Sequence, residues 1–288
     1  MAAASPDIDA RPAAKPWPLQ LKIGVAIVTT IVVLSLAAPW IAPHPWDTIS
    51  IRTRFRPPDA TYWFGTDDYG RDVLSRLLMG GRLSLAMGLG ATLVSVAIGV
   101  PVGLAAGYFR GAVDEILMRI ADILMAIPAI MLGLLVLAVT PPALWKTALA
   151  VGFVYIPPIA RVTRAVTLGL ASEEFVQAAR ARAESNAYIL FREILPNAWP
   201  PLIVEASLRV TYAILLGSAL SFLGLGAQPP SSDWGLMISE ARAFLDRAPW
   251  IALAPGVAMC LLVIGINLMG DGLRERLDPR LKARLAKT

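Results

Sequence analysis

The chain of 288 residues predicts an all-α, polytopic integral membrane protein with six transmembrane helices. Three observations carry that reading. Hydrophobic residues make up 56% of the chain and charged residues only 16%, and the apolar ones gather into blocks where a soluble domain would scatter them. Six blocks approach the roughly 20 apolar residues that a helix needs to cross about 30 Å of hydrocarbon. Between the fourth and fifth lies an arginine-rich stretch, 172–196, with helical spacing and too much charge for lipid.

Taken in order, residues 1–20 are rich in Ala, Pro and polar groups and read as a disordered N-terminus ahead of a membrane domain over 21–288, with its core at 83–271. The first span, 23–41, is longer than the apolar core of a secretory signal and lacks a cleavage site, so it reads as uncleaved. The second, 83–108, carries Gly99, Gly103 and Gly107 at four-residue spacing, which lets another helix approach closely. The third is expected as one helix over 116–139, and the fourth covers 144–160 with Lys146 able to snorkel from its end. Pro101, Pro128 and the pair Pro157-Pro158 fall in or near spans and permit kinks. The fifth span, 202–223, contains Glu205 and Arg209; the sixth, 251–269, contains Cys260, expected as a small buried hydrophobe.

Charges in hydrocarbon need partners, so Asp122, Glu205 and Arg209 should face the protein interior. Glu205 and Arg209 are four apart on one helix, which fits a self-neutralising pair or a place in a translocation pathway. Asp122 is open to the same two readings. His44 stands alone between prolines, and with one His and one Cys the chain offers no metal site and no His-dependent triad.

Lys and Arg set the orientation. With the N-terminus inside, the cytoplasmic segments hold Arg11, Lys15, Lys22, Arg110, the group from Arg161 to Arg192 and the tail from Arg274 to Lys287. The first external loop also carries arginines, nearly balanced by Asp47, Asp59, Asp67, Asp68 and Asp72. Both termini and the 172–196 segment are therefore expected in the cytoplasm. The net charge of +5 needs no nucleic acid to explain it, because basic cytoplasmic segments face an anionic leaflet.

The 172–196 segment reads as two short helices. Ser172 is expected to cap the first, with Glu173 and Glu174 in its first turn; Ser185 and Asn186 are expected to cap a second over 187–194 that stops before Pro196. An apolar stripe of Phe175, Tyr188, Leu190 and Phe191 interleaved with Arg180, Arg182 and Arg192 suits burial against a soluble partner subunit.

This segment resembles the Glu-Ala-Ala coupling motif of ABC-transporter permeases, with Gln177, Ala178, Ala179 and Ala183 followed by Leu195-Pro196. Phe64-Gly65-Thr66-Asp67 with Gly70-Arg71-Asp72, Ser221-Phe222-Leu223-Gly224-Leu225-Gly226, and Asp271-Gly272-Leu273-Arg274 with Asp278-Pro279-Arg280 resemble the dipeptide and oligopeptide permease family, over about residues 20–282. The likeness is to the second, C-type, of that family's two membrane subunits. It implies a type I ABC importer permease fold. The partners implied are a second homologous permease in a heterodimer, two ATP-binding subunits, an extracytoplasmic substrate-binding protein and a peptide substrate. The implied location is the bacterial inner membrane. Glu174, Phe175, Gln177, Ala178, Ala179, Arg180, Ala183, Tyr188, Phe191, Leu195 and Pro196 are then the ATPase-coupling residues. Nickel, glutathione and peptide-antibiotic importers use similar membrane subunits.

No G-x-x-x-x-G-K-[ST] loop occurs, so ATP and Mg belong to the partner subunits, no cofactor is expected on this chain, and it is not an enzyme by itself. Two residues depart from the motif: Gln177 stands at its Glu and Ala183 at its Gly. Ala183 matters if the turn needs positive φ. Gly217 stands where relatives often carry an acid, which bears on substrate choice. On the external side, Thr66 to Asp72 is expected to cap the start of the second span. The loop with Gln228, Pro229, Pro230 and Trp234 is a candidate docking surface for the binding protein, and Trp40 and Trp250 read as interface aromatics. Outside this class, an ion-coupled secondary transporter would show paired broken helices or internal repeats. A membrane hydrolase would show a nucleophile and base.

Overall fold

A computed structural model describes residues 17–138 and 141–277. Arg11, Lys15, Val139 and the Asp278-Pro279-Arg280 part of the motif lie outside the described residues, as does nearly all of the 1–20 segment. Helix α1, Leu19–Ile41, begins inside that segment and takes its last two residues.

The regular structure of the described residues is helical, with one isolated bridge, Thr66 to Asp72, in place of a sheet. Five helices are long and apolar enough to cross a membrane, and a bent pair counts as a sixth candidate where its two halves form one span. α2, Val73–Phe109, starts ten residues before the predicted span. Hydropathy counts Arg76 and Arg82 against a membrane helix, but the Asp72 carboxylate caps the N-terminus by accepting from the Ser75 amide.

The third span is the main correction. It is two helices, α3 at Gly111–Ala126 and α4 at Ala129–Leu137, set 93° apart. Proline at 128 has no N–H to continue the ladder, and its ring pushes Ile127 into the extended region at ψ 128°.

α5, Leu144–Leu170, runs ten residues past its predicted end, and Pro157-Pro158 lie inside it. After the short helix α6, Glu174–Ala181, a turn labelled α7, Asn186–Tyr188, continues through a π-helical stretch at Ile189–Ile194 into α8, Leu195–Phe222. The second short helix expected in 172–196 and the fifth span are thus one helix of 37 residues, not two. The Leu195 amide donates five residues back to the Leu190 carbonyl, and this wider register absorbs the missing N–H of Pro196. α9, Trp234–Ala241, and α10, Trp250–Leu277, complete the fold.

Helix association rests on small residues. Cβ atoms placed on Gly99, Gly103 and Gly107 of α2 would fall within 2.4–2.7 Å of Ile159, Ala160 and Thr167 of α5, so α5 lies directly on the glycine row. Gly152 of α5 receives Val94 in return. α1 packs on α10 in the same manner, through Gly24 against the backbone of Gly265 and Met269. α8 packs on both α2 and α5, and α9 wedges between α8, α10 and α2.

Candidate coupling surface and translocation pathway

At one end of the bundle, α6 is fixed by burial and by α2. Val176 and Ala179 are fully buried among Ile189, Leu190, Ile194 and Tyr108, with Phe175 partly buried beside them. The Tyr108 hydroxyl donates to Asn186 Oδ1 at 3.0 Å, and the Arg180 guanidinium sits 4.9 Å over the Tyr108 ring. The expected apolar stripe therefore divides: Leu190 turns inward, whereas Phe191 is 52% and Tyr188 37% exposed. Glu174, Gln177, Ala178, Arg180, Ala183 and Pro196 are exposed, and Leu195 is half-buried.

Capping follows the expected pattern at one helix only. Ser185 accepts from the Tyr188 amide as predicted. Ser172 does not cap α6; its hydroxyl donates to the Gly169 carbonyl, finishing α5, and Glu173 takes the N-cap position. The Gln177 side chain donates to the Ser172 carbonyl at 3.0 Å, closing the turn between α5 and α6. Ala183 adopts φ +54°. Its amide bonds to Arg180 and that of Glu184 to Ala179, the paired bonds of a Schellman ending with Ala where Gly is favoured.

The charges that the sequence singled out inside the spans, Asp122, Glu205 and Arg209, are paired. Arg161 of α5 donates to Asp122 of α3, and Arg164 binds Asp114 through two nitrogens, Nη2 to Oδ2 being 2.6 Å. Glu205 accepts from Arg209 Nη2 at 2.5 Å and Nε at 2.7 Å on the same helix. Arg209 also lies over the rings of Tyr155 and Tyr212 at 5.6 and 5.3 Å. The Asp122 and Asp114 pairs border a cleft of about 620 Å³ between α3 and α5; Glu205 and Arg209 are not brought to it. Sequence reasoning named Asp122 without Arg161, Arg164 or Asp114, because partners 39 and 50 residues apart leave no local pattern.

The opposite end shows what the Thr66 to Asp72 segment does. Asp67, 1% exposed, accepts from the backbone of Tyr69 and Arg71 and from the guanidinium groups of Arg71 and Arg76. Arg71 and Arg76 reach on to Glu240 at 3.2 and 2.9 Å, tying the loop and the start of α2 to the end of α9. Burial pushes the Asp68 carboxyl above the usual range, with the Asp67 and Glu240 charges adding to it. His44 serves this region structurally, stacked on Tyr62 with its backbone amide donating to Ser75.

Two sequence expectations fail here. Trp234 is only 2% exposed, and its indole N–H donates to the Leu77 carbonyl, so it packs the core and cannot anchor a docking protein. The exposed part of that loop is Gln228, Pro229 and Pro230. Cys260 lies on the exposed side of α10, not in the interior. Trp40 is 84% exposed beside the end of α1, while Trp250 also donates to the Thr66 carbonyl. Gly217 faces the end of the Met87 side chain on α2, so an acid there would have to displace it.

Six crossings with a broken third span, and a helical elbow in the fourth-to-fifth connection, define a type I importer permease fold. A chain of the inward-facing MetNI methionine ABC transporter is similar in fold, with a TM-score of 0.61 at 20% identity, over 71% of this chain and 97% of that one. Residues 99–283 match the family described as binding-protein-dependent transport system inner membrane component, and the chain belongs to that family. It is 40% identical over 261 residues to the dipeptide transport system permease protein DppC of Alkalihalophilus pseudofirmus, covering 91% of this chain and 86% of the relative. Similarity extends to the glutathione transport system permease protein GsiD of Pectobacterium atrosepticum, 40% identical over 273 residues, or 93% and 91% of the two chains.

Proposed function

We propose that this permease subunit forms half of the translocation pathway of an ATP-driven importer for dipeptides and oligopeptides. The observation that carries the reading is the elbow at 172–196: α6 is packed against the π-helical stretch Ile189–Ile194, and that stretch is continuous with α8. A partner that moves the elbow moves a membrane span as a rigid body. The ATPase subunits, which hold ATP and Mg, dock on the exposed residues of that elbow, with Tyr188 and Phe191 as the apolar contacts. A second homologous permease completes the pathway. An extracytoplasmic binding protein delivers peptide against the face that includes Gln228, Pro229 and Pro230. The Lys and Arg distribution supports cytoplasmic termini in a bacterial inner membrane. Asp122 borders the pathway, and the internal pairing of Glu205 with Arg209 supports a role in neutralising the span.

Co-purification from native membranes followed by mass spectrometry tests the proposal. Tagged wild type is expected to bring down a second permease and ATPases, and Phe191→Asp to retain the permease while losing the ATPases. Wild-type chain that recovers neither, in a detergent that preserves other complexes, would sink the reading.

A further inference from the structure

The cleft between α3 and α5 holds charges in a place where lipid cannot be their neighbour. Asp122 of α3 and Arg161 of α5 are 55% and 49% exposed, on helices that are otherwise largely apolar, and Asp114 and Arg164 form a second rung. Eight residues separate Asp114 from Asp122, so the rungs stand about 12 Å apart along α3 at 1.5 Å per residue. The exposed residues of α3 sort by chemistry. Glu115, Arg119 and Asp122 line the cleft, whereas Ile116, Ile120 and Ile123 form an adjoining exposed apolar stripe. An apolar stripe suits hydrocarbon; half-exposed ion pairs require water or protein against them.

The cleft volume of about 620 Å³ falls within the span of small-ligand sites, roughly 300–1,000 Å³. Its lining alternates acid and base, so it offers a zwitterion both counter-charges at once. A dipeptide extends at most about 7 Å, short enough to lie between the rungs and exchange partners with them.

We propose that this cleft is a water-filled charge filter in the translocation pathway. The substrate ammonium is received by Asp122 and Asp114 and the carboxylate by Arg161 and Arg164, so that the cleft weights transport by the net charge of the peptide. The proposal rests on the importer reading above and adds the residues and the charge rule.

The test uses the whole complex with its binding protein in proteoliposomes, measuring ATP-driven uptake of Ala-Ala, Ala-Asp and Ala-Lys. Arg161→Gln leaves net negative charge in the cleft and is expected to shift the Ala-Lys to Ala-Asp uptake ratio upward by about threefold, and Asp122→Asn to shift it downward by a similar factor. A purely structural ion pair would scale all three peptides together, and that result overturns the proposal. Either variant can fail to assemble, so a second arm keeps both ion pairs intact. Met118→Cys, made in a Cys260→Ala background, is expected to react with a charged, water-soluble thiosulfonate in at least one nucleotide state, and dialanine is expected to slow the reaction. No labelling with or without ATP would mean that the second permease covers the cleft, and overturns the filter. A wild-type complex that hydrolyses ATP yet takes up none of the three peptides defeats the peptide reading of function instead, and the labelling arm still decides whether the cleft is wet.

Discussion

Ala183 holds a left-handed φ of +54° at the end of α6, where a Cβ is unfavourable by about 1 kcal/mol or more relative to glycine. Ala183→Gly should therefore stabilise the turn after α6 by about that amount, read as roughly fivefold slower hydrogen exchange at the amides of positions 183 and 184. Asp67 is the opposite case, a residue whose loss leaves two buried guanidiniums short of their carboxylate. Asp67→Asn is expected to cost about 3–5 kcal/mol in the loop between α1 and α2, seen as a lower thermal midpoint and as proteolysis within that loop. Asp68 makes a contrasting prediction. Its carboxyl is raised by burial and by neighbouring acids, so ionising it disfavours the fold, and the stability present at low pH is lost as pH rises through the folded pKa. Asp68→Asn should be more heat-stable than wild type at neutral pH, with the advantage disappearing below the usual carboxylate range. All three side chains lie in segments that the sequence marked as motifs. What it could not mark was the partner, since Glu240 is 169 residues from Arg71 and 164 from Arg76.

Among the elements, the glycine row of α2 and the break at Pro128 carry the packing. A methyl group on Gly103 would stand 2.4 Å from the Ala160 carbonyl oxygen, so the helices must separate to admit it. Gly103→Ala is expected to destabilise the α2–α5 contact by about 1–3 kcal/mol, lowering the thermal midpoint of the purified complex. Pro128→Ala restores an N–H and removes the constraint on Ile127. Spin labels at positions 116 and 135 should then move apart, from about 20 Å across the bend toward the roughly 28 Å of a straight helix. The four-residue glycine spacing was readable in the sequence because it is a helical period. The bend and the π register before Pro196 were not, because a proline reads equally as a kink, a stop or a tolerated position. Packing of α4 and α8 on their neighbours decides among them.

For the molecule as a whole, the question is which surfaces meet lipid, water or another subunit. Cys260, on the exposed side of the apolar helix α10, should react with a membrane-soluble maleimide and resist a charged water-soluble one in intact cells. The reverse result would place α10 against an aqueous surface. The sequence by itself determined that this chain is all-α and membrane-spanning, and it placed the charged elbow between the fourth and fifth spans. Hydrocarbon enforces this, because it leaves no backbone group unbonded and so turns runs of apolar residues into helices whatever their neighbours are. Only the tertiary structure decided that Arg161 and Arg164 answer Asp122 and Asp114, that Trp234 is core, that Cys260 is not, and that the elbow is rigidly one with α8. Helical periodicity is local and can be counted along the chain, whereas burial and ion pairing depend on residues brought together from far apart by packing.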